Sequence, residues 1–195
     1  MGSVQSGIGF PENEQGGKSG IPFYKVSDMN LQGNNDEMLT SNNYVNEEQI
    51  NRRKWKVNDK GSSIIFAKVG AAVMLNRKRL VNGRFLLDNN MMSYTPNDSL
   101  NILFTKALFN MIYLPGLIQT GALPSYNASD ILAIKVITPK LCEQEKMGKL
   151  FKNIDSLTTL YERKLEKLKI LEKLKKMKSR YSTILKMFFH ETYTL

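Results

Sequence analysis

A chain of 195 residues, 42% of them hydrophobic, is long enough for one packed domain with an appendage and too apolar for wholesale disorder. Its net charge of +10 favours a polyanionic partner, and its single cysteine, Cys142, rules out an internal disulfide and fits a reducing, cytoplasmic setting. The first residues, MGSVQSGIGF, lack the basic and apolar regions of a secretory signal, and the most apolar run, residues 102–118, is broken by Lys106, Asn110 and Pro115 and falls short of a membrane span.

Residues 1–20, rich in Gly, Ser, Asn and Glu and without an apolar period, read as loop. IPFYKVSDM (21–29) alternates as a strand does, and NLQGNND (30–36) is a turn cluster. NEEQINRRKW (46–55) predicts a short helix capped by Asn46. GSSIIFAKVGAAVML (61–75) predicts strand, Gly turn, strand; NRKRLVNGRFLLD (76–88) adds a basic loop and another strand. Residues 95–114 carry cap signals and then helical spacing, a core helix ending before Pro115-Gly116. PGLIQTGALPSYNASD (115–130) reads as loop, and ILAIKVITP (131–139) as a strand closed by Thr138-Pro139. Short strands mixed with one or two helices predict an α+β domain over residues 1–139.

The remainder has a different period. From Met147 the apolar residues are Leu150, Ile154, Leu157, Tyr161, Leu165, Leu168, Leu171, Leu174, Met177, Tyr181, Ile184 and Phe188, always three or four apart, which predicts a long helix over 140–189 and a tail at 190–195. Four consecutive steps of three between Leu165 and Met177 make the stripe drift around the helix. A strict two-stranded zipper is disfavoured, and a broad face against more than one neighbour fits better. About 45 helical residues span about 65–70 Å. A rod of that length has too little of its own chain to bury against, so it requires another copy, another protein, or both. It is also basic, with 13 Lys or Arg against 6 Asp or Glu in residues 141–189. Gly148 marks a bend or a close contact within it, and Lys178-Ser179 is where it would break.

Catalytic motifs do not emerge. GGKSG (16–20) has Glu12 where a phosphate-binding loop needs its first glycine. Cys142 and His190 have no metal-ligand companions, so Cys142 reads as a packing residue at the helix start and His190 as a surface residue. Asp28, Asp88 and Asp130 read as turn and cap residues. Binding is better served. NRRKW (51–55) sets Arg52, Arg53 and Lys54 beside Trp55, itself read as a core anchor, and NRKR sets Asn76 before Arg77, Lys78 and Arg79. Arg and Asn pair with guanine and adenine edges, while Lys serves phosphates. Gln119, Thr120, Ser125, Tyr126 and Asn127 add amides and hydroxyls on a Gly/Pro-shaped loop. The competing reading of each patch is solvated surface.

Taken together, four stretches resemble the specificity (S) subunit of type I restriction–modification systems. IPFYKVSDMN is similar to an early strand of the family's target-recognition domain, GSSIIFAKVGAAVMLNRKRLV to its central hairpin, and TGALPSYNASDILAIKVITP to its end. The fourth, EQEKMGKLFKNIDSLTTLYERKLEKLKILEKLKKMK, resembles the conserved helical region: Glu143-Gln144-Glu145-Lys146, Leu150-Phe151, Asp155 and Arg163-Lys164-Leu165-Glu166 follow the family pattern in order. The resemblance implies a non-catalytic DNA-specificity subunit. Asn76, Arg77, Lys78, Arg79, Arg52, Arg53, Lys54, Gln119, Thr120, Ser125 and Tyr126 are the candidate contacts to double-stranded DNA. Leu150, Ile154, Leu157, Tyr161, Leu165, Leu168 and Leu171 are the candidates for helix packing. The resemblance implies no cofactor on this chain; S-adenosylmethionine is expected on partner methyltransferase subunits that modify adenine at N6, with a restriction subunit completing the complex. Members normally carry two recognition domains and two helices paired antiparallel as a spacer. One domain and one helix here imply half a subunit, and hence a homodimer joined through an antiparallel coiled coil. The strand that usually opens a recognition domain is not evident in residues 1–20. A second reading is a scaffold or truncated remnant acting only through its helix.

Overall fold

The computed structural model describes residues 1–118 and 124–192, with side chains to Lys178 and at Arg180 and Tyr181. Two compact units divide the chain, Met1–Phe151 and Lys152–Leu195. The first carries β1 (Gly2–Ser6), β2 (Ile21–Tyr24), β3 (Tyr44–Val45), α1 (Glu47–Arg53), β4 (Ser63–Ala67), β5 (Lys78–Val81), β6 (Leu86–Leu87), β7 (Met91–Pro96), α2 (Ile102–Met111) and α3 (Ala128–Leu132). α4 (Leu141–Thr192) begins in this unit and supplies the second. The expected α+β class, with mixed sheets and a long C-terminal helix, is the one the chain adopts.

Four strands in the order β1-β7-β4-β5 form an antiparallel sheet, and β3-β2-β6 a smaller mixed one in which β2 runs antiparallel to β3 and parallel to β6. β4, SIIFA, is buried at every residue because both faces of its sheet are covered. Ile64 and Phe66 point with Met92 and Tyr94 into a core closed by Phe104, Phe109, Leu114, Tyr126 and Ile131. Ile65, between them, points the other way and meets Tyr24, Met29, Met38, Phe85 and Met91. A third cluster lies under α1, where Phe23 stacks on Phe10 at a centroid distance of 3.7 Å and meets the half-buried Trp55 edge-on at 5.2 Å.

Local chemistry explains the helices. Asn46 accepts from Gln49 N at 2.8 Å and its own N–H donates to Gln49 Oε1, a reciprocal cap on α1. Asn101 caps α2 by accepting from Leu103 N (3.0 Å) and Phe104 N (3.1 Å). Asp28, Asp88 and Asp130 hold turns as expected, accepting from Lys25 N, Asn90 N and Asn127 N.

Five expectations need correction. Residues 2–6 are not loop but β1, paired with β7 from Gly2↔Pro96 to Ser6↔Met92. Only Val4 of this strand packs on the core, so no apolar alternation announces it. A β-carbon on Gly2 would lie 2.6 Å from Thr95 O and the Tyr94 ring, so the strand pairs closely only with glycine there. Residues 71–75 form a 3-10 turn rather than a strand, and β4 pairs instead with β5, which starts inside the expected basic loop. Residues 131–139 form no strand: Ile131 and Leu132 end α3, and Ile137 is 99% exposed. Cys142 is exposed, not packed. α4 runs unbroken through Lys178-Ser179. Gly148 is a close contact, as one of its two readings required.

Replacing Phe66, fully buried at the centre of the sheet, with Ala should lower stability by about 3–5 kcal/mol. Urea denaturation followed by circular dichroism measures this; a loss below about 1 kcal/mol would place the centre of the core elsewhere.

Candidate nucleic-acid interface

The Asn76–Arg79 corner follows the 3-10 turn Ala71–Leu75. Asn76 stands in the left-handed conformation (φ 51°), which lets its amide face back into the fold. Its Oδ1 accepts from Leu114 N (3.1 Å) and Lys78 Nζ (2.7 Å), and Lys78 Nζ also donates to Ile112 O (2.6 Å). Lys78 is buried, and burial first, then Lys106, brings its ammonium down to about 8. Arg77, half-buried, donates to Asn30 Oδ1. Arg79 Nε donates to Asn34 O at 2.5 Å, and its guanidinium is lowered by burial and by Arg77 against the opposing pull of Asp36. Lys106 of α2, also buried, pairs with the more exposed Asp36. The corner therefore gathers four cations around one carboxylate and ties β5 to the turn segment 30–36 and to the end of α2.

The second cation run is organised by a residue that the sequence reading passed over. Glu14, only 4% exposed, accepts from Arg52 Nη2 (2.9 Å), Arg53 Nε (2.8 Å) and Gln49 Nε2 (2.8 Å). The Gln49 amide, then Arg53 and Arg52, hold its carboxyl down to about 2. Arg52 keeps 55% of its side chain in solvent and Arg53 36%. Lys54 ends α1 in the left-handed conformation at φ 54°. Residues 38–39 positions apart carried no sequence signal of this pairing.

Of the loop candidates, Gln119 and Thr120 lie outside the described residues. Ser125 bridges to Val69, half-buried, and Tyr126 is core, 3% exposed, its hydroxyl donating to Ala67 O. Asn34 was likewise missed, and Asp28, read as a turn residue, does more than hold its own turn. Both are fully buried. Asn34 donates to Asp28 O and Thr40 O at 2.8 Å and accepts from Leu39 N at 2.8 Å, while Asp28 accepts from Asn42 Nδ2 at 2.8 Å. They brace the loop whose Asn30 accepts from Arg77; in the sequence that loop showed only as the turn cluster 30–36 and the polar run NNDEMLTSNN.

In the second unit, taken by itself, Ile154, Leu157, Tyr161, Leu165, Leu168 and Leu171 are each exposed by about half or more, as are Leu160, Ile170 and Leu174. Leu150, which precedes it, is 57% exposed. Among the described residues no helix is long and apolar enough to cross a membrane, and no group of His, Cys, Asp or Glu has the arrangement to hold a metal.

The described chain is thus a mixed-sheet domain with a basic corner and a long basic C-terminal helix. The model of the type I restriction modification DNA specificity domain matches residues 2–170. The chain belongs to that family, whose specificity subunits are non-catalytic. Among solved structures it is similar to a chain from a study of complex assembly and conformational transition in a type I R–M system (TM-score 0.62, 16% identity, covering 83% of this chain and 38% of that one). It is also similar to the HsdS subunit of Thermoanaerobacter tengcongensis (0.56, 13%, 83% and 37%) and to the S subunit of the type I system of M. genitalium (0.55, 11%, 80% and 37%). At these identities the likeness is one of fold, and the chain spans well under half the length of each structure. No curated protein matches it.

Glu14 supplies a pH test. Its folded-state value of about 2 lies below the ordinary 4.5, so its contribution to stability is present above about 4.5 and is lost as pH falls towards 2. Glu14→Gln should therefore melt lower than the wild type at pH 7, and the two melting curves should converge near pH 2–3. A gap that stays constant with pH would show that the carboxylate charge is not what holds Arg52 and Arg53.

Proposed function

We propose that residues 1–139 form a target-recognition domain reading one half of a bipartite DNA site, that residues 140–189 form the spacer and docking helix, and that residues 190–195 are a tail. The observation that carries this reading is the family match, which runs through both the head and the greater part of the helix. The exposed apolar residues of α4 support its second half. Two such helices, paired antiparallel as a coiled coil, cover each other's leucines and hold two heads at a set separation, the twofold arrangement that reads an interrupted palindrome. The drifting stripe leaves apolar surface on which adenine-N6 methyltransferase subunits, carrying S-adenosylmethionine, dock; a restriction subunit joins through them. The setting for this work is the cytoplasm, where DNA is the polyanion that the net charge of +10 suits.

Within the head, Arg77, Arg79, Arg52, Arg53 and Lys54 are the DNA contacts, with Ser125, Gln119 and Thr120 from the loop. Asn76, Lys78 and Tyr126 act by holding this surface in shape, since their polar atoms are satisfied by the chain itself. That same self-satisfaction supports a second reading. Arg52, Arg53, Arg77 and Arg79 all bond within the head, as they would in a scaffold that works through its helix alone.

DNA binding separates the two. A head that neutralises about six phosphates should lose on the order of 10³-fold in affinity for random duplex between about 50 and 200 mM salt. Titration by fluorescence anisotropy reads this, and a chain with no affinity at low salt is the scaffold. Arg77→Ala should weaken the recognised word by about 1–3 kcal/mol and relax one position if it reads a base; a uniform loss on all sequences makes it a phosphate contact.

For the helix, Leu165→Asp should convert a particle of twice the 22.3 kDa chain mass into one of single mass by light scattering after gel filtration. A variant that still dimerises puts the contact on another face.

A further inference from the structure

The start of α4 is fastened to the head by two residues one turn apart, within the unit Met1–Phe151. Gln144 is 2% exposed, a depth unusual for a glutamine. One side chain makes three bonds to three backbone groups: Oε1 accepts from Asn101 N (2.9 Å), and Nε2 donates to Ser99 O (3.2 Å) and Pro139 O (3.0 Å). It thus joins α4, the segment leading into it and the cap of α2. Gly148 follows on the same face. A β-carbon there would stand 2.7 Å from Phe104 N, 2.8 Å from Leu103 Cβ and 3.0 Å from Asn101 Oδ1. Asn101 Oδ1 is itself the cap of α2, and Phe104 N is backbone, so neither can turn aside.

We propose that Gln144 and Gly148 are positioning residues that set the gap between the two half-sites, by fixing how α4 seats on the α2 cap. The proposal rests on the reading of α4 as a spacer. Magnitudes favour it. An alanine at 148 needs about 1 Å of relief to reach ordinary contact distance. Pivoting on Gln144, about 6 Å away along the axis, that relief is a tilt of about 10°. A local change that leaves every DNA-reading residue in place therefore alters the spacing the dimer fits.

Methylome sequencing of cells expressing the chain with its modification subunits tests this. Gly148→Ala should direct methylation to the same half-site bases with the gap changed by one or two base pairs, or with several gap lengths in place of one. Gln144→Glu, which keeps the acceptor for Asn101 N and loses both donors, should broaden the gap as well and serves if Gly148→Ala does not fold, as checked by thermal melting. Lys149→Ala, an exposed neighbour, should leave the gap unchanged. Folded Gly148→Ala and Gln144→Glu variants that keep the wild-type gap alone, or that lose methylation at every gap, overturn the positioning role. A wild-type chain that directs no methylation sinks the spacer reading itself, and the proposal with it.

Discussion

Apolar side chains that stand half exposed along a single helix are the constraint on which the rest of this molecule turns. From Leu150 to Met177, α4 presents leucine, isoleucine, tyrosine and methionine side chains that are each exposed by about half. Covering the exposed half of one such residue is worth roughly 1 kcal/mol. Association itself costs about 4–15 kcal/mol, so a few residues do not suffice and a long row on each of two helices does. A helix of 52 residues supplies that row. On the proposed pairing, that length meets two demands at once, enough apolar surface to pair and enough reach to separate two reading heads.

The head shows how cations can be kept at a surface without being left loose. Glu14 gathers Arg52 and Arg53, Asn30 holds Arg77, and a backbone carbonyl holds Arg79. Each guanidinium is thereby ordered in advance, which on the proposed reading lowers the entropy lost on meeting a phosphate or a base edge. The buried pair Lys78 and Lys106, with Asp36, adds positive potential beneath them while stitching β5 to α2. Only Arg52, with 55% of its side chain in solvent, is widely open in the pairs with Glu14.

Local signals were legible in the sequence and non-local ones were not. Asn46 announced its helix, and the cap signals in 95–114 announced α2, because a cap and its helix lie within a few residues of each other. The period of three and four in α4 did the same over fifty residues. β1 went unseen because its partner, β7, is some ninety residues away and its own sequence, GSVQS, has one apolar residue. ILAIKVITP misled in the opposite direction: its alternation is strand-like, yet its first two residues end a short helix whose start Asp130 secures by accepting from Asn127 N, and no described strand pairs with the rest. At the candidate interface, the residue types of Arg52, Arg53 and Arg77 were readable, but their anchoring by Glu14 and Asn30 was not, since ion pairs and hydrogen bonds across 38 to 47 residues leave no pattern. Gly148 was readable as a contact or a bend, and only the position of Phe104 decided between them.

Hydrogen exchange of the α4 amides, followed by mass spectrometry over a series of protein concentrations, tests the pairing of helices most directly. A helix that finds its twin should be protected from Lys152 to Lys178, with protection that rises as the chain is concentrated and reaches the level of the core strand β4. Amides that exchange within seconds at every concentration would show a helix that stands alone, and would contradict the account.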